Sequence, residues 1–240
     1  MEHNNNFTLN AILIYTSEEN IVKRNCNLNE ISDGILYDLD DLVEASCNGC
    51  KGSSACCHGM GNSIILDPYD LYRLTTNLKL TFEELLVNKI ELQVVDGIIL
   101  PNLKMKGEYE SCAFLNQEGK CSIHTCRPGI CRIFPLGRYY ENHDFKYFLQ
   151  INECSNASNT KIKVSKWIDT SDTEKNKQFL IDWHYFLNDI EELIKCTQDE
   201  NLIKKMNVYI LNSFYVKEYD KEMDFYLQFN QRLSTIRKVL

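Results

Sequence analysis

The sequence predicts an α+β protein: a small cysteine-rich domain of short hairpins and helices, followed by a helical C-terminal layer. Three observations point there. Nine of the eleven cysteines crowd into two groups between Cys47 and Cys154. Turn signals such as Asp96-Gly97 punctuate the same region at strand spacing. From Ser165 onward neither glycine nor proline occurs, and apolar residues recur at helical spacing.

Three regions follow from this pattern: an N-terminal segment over 1–46, a cysteine-cluster domain over 47–168 and a helical region over 169–240. Within the first, a helix is expected over 34–46. Residues 62–66 read as a short strand. Asp67-Pro68 then opens a helix, an N-cap residue followed by proline at the first helical position, with Leu71, Leu74 and Leu78 as its apolar face. Thr81-Phe-Glu-Glu84 reads as a capping box. Around Asp96-Gly97 a hairpin is expected over 91–104. A second hairpin is expected from Cys112 through 116–120 into Cys121, and a third over 137–151, turning near 141–144. Each is expected to hold cysteines at a strand end. In the helical region Phe179, Trp183, Phe186, Ile190 and Leu193 share one helical face. The aromatic stripe of Trp183, Phe186, Tyr209, Phe214, Tyr226 and Phe229 reads as core.

Composition narrows the function classes. A net charge of −8 and a pI near 5.2 argue against a general nucleic-acid or anionic-membrane binder, which needs a positive field. The first residues lack the positive leader and long apolar run of a secretory signal, and no stretch reaches a membrane span. The expected location is the cytoplasm. A protein partner or protein substrate is a further expectation.

The cysteines carry the chemistry. The first group reads Cys47-Asn-Gly-Cys50-Lys-Gly-Ser-Ser-Ala-Cys56-Cys57-His58, and the second runs through Cys112, Cys121, Cys126 and Cys131 to Cys154. Thiolates at such intervals are what soft metal ions and iron–sulfur clusters require. A disulfide scaffold fits less well. The cysteine count is odd, eleven in 240 residues falls below the roughly 8–10% of disulfide scaffolds, and adjacent Cys56 and Cys57 bridge only with strain. The metal candidates are therefore Cys47, Cys50, Cys56, Cys57, Cys112, Cys121, Cys126, Cys131 and Cys154, with His58 and His124 ranked below them. Neighbouring side chains in extended backbone point to opposite faces, so the Cys56-Cys57 pair is expected to serve two nearby sites or a polynuclear cluster. Pro128 is expected to open a helical turn whose positive end favours a Cys131 thiolate. Arg127, Arg132 and Arg138 either offset thiolate charge or serve as structural ion-pairing arginines.

Cys47-x-x-Cys50, Cys56-Cys57, Cys112, Cys121-x-Ile-x-x-x-Arg127-Pro128-x-x-Cys131-Arg132-x-Phe134-Pro135 and Cys154 together resemble the YkgJ-like cysteine-cluster family, a zinc- or iron-chelating group. The resemblance covers roughly residues 45–168. It implies metal binding through those eight cysteines, with Cys126 as an extra. The gap between Cys50 and the vicinal pair is longer than the family pattern, and His124 stands where members often have Tyr. A more distant similarity is to flagellin lysine methylases, which implies an iron–sulfur cluster used with S-adenosylmethionine. Three functions are thus expected in turn: a protein binding an iron–sulfur cluster (4Fe–4S), a structural zinc-binding interaction protein, and a lysine methylase. No nucleotide-loop, zincin or nucleophile-elbow motif accompanies the cysteines, and no catalytic residue is assigned.

Overall fold

The computed structural model describes residues 28–45, 54–151 and 160–240. In chain order its helices and strands begin with α1 (Leu28–Ile31), β1 (Ser32–Tyr37) and β2 (Leu42–Val43). Next come α2 (Pro68–Leu78), α3 (Phe82–Asn88), β3 (Ile90–Val95), β4 (Ile98–Leu103), β5 (Met105–Lys106) and β6 (Ser111–Cys112). They continue with α4 (Gly129–Ile133), β7 (Leu136–Glu141), β8 (Asp144–Gln150), β9 (Ile162–Lys163) and α5 (Val164–Ile168). The last part is helical: α6 (Thr173–Cys196), α7 (Glu200–Leu211), a π-helical turn (Asn212–Val216) and α8 (Phe225–Ile236). The protein is α+β, with short antiparallel pairings: β1-β8-β7, β2-β9, β3-β4 and β5-β6.

Local chemistry explains the elements that the sequence announces. At α2 the Asp70 backbone N–H donates to Asp67 Oδ1 at 2.8 Å while Asp70 Oδ2 accepts from the Asp67 N–H, a reciprocal cap. Thr81 and Glu84 repeat the device at α3. The β3–β4 hairpin pairs Val95 with Ile98 across Asp96 and Gly97, both at positive φ (51° and 82°). That is the two-residue turn whose twist matches paired strands. Gly97 is required twice over, since a Cβ there would come within 2.9 Å of Ile194 Cγ2 on α6. The β7–β8 hairpin turns likewise through Asn142 and His143, both at positive φ.

Several expectations fail for reasons of tertiary pairing. The helix expected over 34–46 is instead β1 and β2. Asp41 Oδ2 accepts from the Asp38 N–H at 2.7 Å, a turn that aspartates favour over helix, and the flanking segments pair with β8 and β9. The strand expected over 62–66 reduces to one bridge, Ile65 to Asn102. The hairpin expected to join Cys112 to Cys121 does not form as such. Cys112 pairs back with Met105, and Leu115 meets Cys121 through a single bridge around the Asn116 loop. Among the described residues the β3–β4 and β7–β8 hairpins carry no cysteine within their strands, so cysteines do not mark every hairpin.

One hydrophobic cluster runs from Tyr37 to Ile236. Phe179, Trp183, Phe186 and Ile190 on α6 pack against Phe214 of the π turn and Phe229 of α8, with Phe179 and Phe229 centroids 4.7 Å apart. The stripe ends early, because Leu193 is 44% exposed. Tyr209 and Tyr226 are half-buried at its margin. No helix among the described residues is long and apolar enough to cross a membrane.

Tyr215 and Asn207 are among the residues whose polar contacts dock the helices onto the remainder. Tyr215 Oη donates to the Leu66 carbonyl at 2.9 Å. Asn207 on α7 accepts from the Ile99 N–H at 2.7 Å and donates to the Gly97 carbonyl at 3.0 Å, so it completes backbone groups of the hairpin tip. Replacing Asn207 with Ala should therefore cost about 1 kcal/mol by leaving these half-buried backbone groups without their partner. Urea unfolding measures this directly, and an unchanged midpoint would show that the helices dock without the clamp.

Candidate metal centre

Five thiols converge on one cavity. Cys56, Cys57, Cys112, Cys121 and Cys131 all line a space of about 500 Å³. The elements that place them are short. Cys56 and Cys57 sit on a single 3₁₀ turn, Ala55–Cys57, closed by the Cys57 N–H to the Ser54 carbonyl at 2.8 Å. Cys112 ends β6. Cys121 follows a loop wound around Asn116, whose Oδ1 accepts from the N–H groups of Glu118 and Lys120. Cys131 lies in α4, whose Gly129 N–H donates to Asp70 Oδ1 at 2.7 Å.

The vicinal pair departs from expectation. Its backbone is a 3₁₀ turn rather than extended chain, and at three residues per turn successive side chains need not face opposite ways. Both thiols reach the same cavity. The Cys57 S–H donates to the Cys56 sulfur, which draws Cys56 down to about 6 and pushes Cys57 up. The pair thus loses its first proton near pH 6 and keeps the second between its sulfurs until a metal displaces it.

Elsewhere burial governs. Desolvation pushes the Cys112, Cys121 and Cys131 thiols up, and at Cys131 the nearby Asp70 carboxylate adds to it. The expectation that the turn's positive end favours a Cys131 thiolate is overturned: a five-residue helix supplies less than desolvation removes. A bound metal changes this balance, because ligation displaces the thiol proton and neutralises the sulfur in place. Among the described residues no three His, Cys, Asp or Glu side chains are gathered at one ready metal-binding point. The thiols are distributed around the cavity wall.

The remaining candidates separate. Cys126 closes a 3₁₀ turn (His124–Cys126), is 3% exposed, belongs to the hydrophobic core and does not line the cavity. Cys47, Cys50 and Cys154 lie outside the described residues. His58 spans two hydroxyls, Nε2 to Ser54 Oγ at 3.3 Å and Nδ1 to Ser111 Oγ at 3.0 Å, so it ties the vicinal turn to β6. His124 lines the cavity, where its Nε2 meets Arg127 Nη1 at 2.6 Å. A guanidinium only donates, so this imidazole accepts. Burial and the arginine charge both hold it below the ordinary histidine range.

The three arginines have three fates. Only Arg127 lines the cavity. Arg132 is buried and donates to the Arg127 carbonyl and to Thr170 Oγ1, which braces the turn. Arg138 sits beside a carboxyl pair that sequence reasoning missed, Asp67 and Asp70. Burial pushes Asp67 up to about 8, with Asp70 adding to it, and pushes Asp70 up to about 6. The signal was present in the capping box itself, whose second carboxylate has an oxygen to spare for Gly129. Sequence reasoning also missed the apolar wall of Met60, Ile64, Leu103, Met105, Phe134 and Trp167.

Chemically, the cavity offers thiols and little hard oxygen. Its carboxylate, Glu118, is paired with Lys120 at 2.9 Å. Such a donor set suits zinc or iron–sulfur chemistry and not calcium or magnesium.

In metal-stripped protein Cys56 should be the fastest of the described cysteines to be alkylated. Its thiolate forms above about pH 6 and is lost below it. Iodoacetamide labelling read by peptide mass spectrometry should thus show half-maximal rate near that pH. Cys57→Ala should move the midpoint up toward the ordinary thiol value of roughly 8.5. A midpoint indifferent to Cys57→Ala would assign the effect to Arg127 instead.

Residues 46–158 match the family model CxxCxxCC, described as a "putative zinc- or iron-chelating domain". No curated protein and no solved structure matches the chain. The matched span contains all five thiols of the cavity, and the match supports metal binding by this region, with zinc or iron as the metal.

Proposed function

We propose that the cavity holds an iron–sulfur cluster, of the 4Fe–4S type, on thiolates drawn from Cys56, Cys57, Cys112, Cys121 and Cys131. Cys47, Cys50 and Cys154 are further candidates by their spacing. The single observation carrying this reading is room. A structural zinc site closes four ligands around one ion at about 2.3 Å for sulfur and leaves no cavity. Here five thiols stand around about 500 Å³. A polynuclear cluster matches separated thiols better than one ion does. When bound, the cluster would supply redox or Lewis-acid chemistry. The chain's own part is to orient the sulfurs and keep the site partly dry. A reducing compartment such as the cytoplasm suits free thiols of this kind.

Structural zinc is the second reading, supported by the paired cysteine spacing and compatible with the family description, which names zinc and iron alike. In that case the helical layer presents its surface to a protein partner. A lysine methylase using S-adenosylmethionine rests on the sequence resemblance alone.

Anaerobic purification followed by iron, acid-labile sulfide and zinc determination tests the proposal. Iron and sulfide in near-equal amounts are expected, with visible absorption bleached by a chelator. Cys112→Ser and Cys121→Ser should weaken metal retention by roughly tenfold or more, whereas Cys126→Ser should retain metal like the parent protein. Stoichiometric zinc without sulfide, from iron-replete cells, would sink the cluster reading.

A further inference from the structure

The thiols occupy only part of the cavity wall. Most of the remainder is apolar: Met60, Ile64, Leu103, Met105, Phe134 and Trp167. Trp167 is fixed in place, since its Nε1–H donates to the Ile133 carbonyl at 2.9 Å. A single ion takes less space than the roughly 30 Å³ share of one water, and even a cubane cluster leaves most of about 500 Å³ open. That volume falls within the roughly 300–1,000 Å³ range of small-molecule sites.

One cation on this wall, Arg127, has no carboxylate partner among the described residues. Arg127 is half-buried, and its partner on the cavity wall is the His124 imidazole, which accepts a hydrogen bond but carries no negative charge. Lys120 is exposed and already paired with Glu118. An arginine held by one nitrogen keeps its other donors for a planar oxyanion, which it recognises through parallel hydrogen bonds.

We infer that the cavity binds, beside the metal, a compact organic carboxylate whose apolar body lies against Met60, Met105, Phe134 and Trp167 and whose carboxylate pairs with Arg127. The inference rests on the reading that metal occupies the thiol end. The sulfurs are then held by the metal, and the free donors of Arg127 serve the ligand.

The test uses metal-loaded full-length protein and two probes of equal shape, phenylbutyrate and its neutral amide. Calorimetric titration should show the acid binding about tenfold or more tightly than the amide. Acid binding should also change indole fluorescence, and Trp167→Phe should abolish that change. Arg127→Gln should bring the acid down to the affinity of the amide while metal content stays at the parent level. Metal content near parent with no binding of either probe would overturn the inference and leave the metal reading standing. Equal affinities for acid and amide would remove the carboxylate from it, a comparison that needs no variant. Loss of metal in Arg127→Gln would assign the arginine to the thiolates and also overturn it. Absence of metal from the parent protein would instead strike at the metal reading.

Discussion

Asp70 accepts a hydrogen bond from the Gly129 N–H at 2.7 Å, and the position of Cys131 depends on that contact. The same carboxylate completes the cap of α2 through its other oxygen. A single buried side chain thus joins a helix that is stable by its own local chemistry to a five-residue turn that is not. Short turns have too few internal hydrogen bonds to hold a thiol in place alone. Here α2 supplies the rigidity, and Arg132 and Trp167 brace the turn from its other side. The aromatic contacts of Tyr69 and Tyr72 with Phe225 extend the same support to α8.

That arrangement sets the electrostatics of the cavity. Three thiols are pushed toward their protonated form by burial, and the vicinal pair shares one proton between its sulfurs. Metal-free at neutral pH, the site holds one thiolate, at the vicinal pair, among protonated thiols around a largely apolar space. Ligation displaces the remaining protons and offsets the charge of the thiolates as they form. Metal retention and local order in this region should therefore be coupled, because the thiol-bearing segments have few other strong interactions.

The helical layer has a different role from the thiols. Its aromatic face is buried and makes no contact with the cavity, yet Asn207 and Tyr215 tie it to the hairpin tip and to the Leu66 carbonyl. It forms the wall against which β3–β4 and α2 are held. The cavity is lined instead by Leu103 at the end of β4 and by the short segments that bear the thiols, and such loops commonly carry chemistry.

What was legible in the sequence is what short-range interactions decide. The caps at Asp67 and Thr81, the positive-φ turns at Asp96-Gly97 and Asn142-His143, and the apolar face of α6 are each settled by residues within a few positions of one another. The crowding of the cysteines was equally plain. The long-range decisions were not legible. Residues 34–46 read as a helix because their pairing partners lie more than a hundred residues away in β8 and β9. Cys121 and Cys126 look alike in sequence, but only packing turns one to the cavity and the other into the core. Arg127, Arg132 and Arg138 sit in one stretch, yet Arg127 meets its near neighbour His124 while Arg132 and Arg138 are claimed by the distant Thr170 and Asp67–Asp70 pair, so each has a different task. By itself the sequence determined the donor chemistry and the local turns, because both depend on residue type and near neighbours. The tertiary structure alone decided which donors share a cavity, and how much room lies between them, because both depend on how separate segments are packed together.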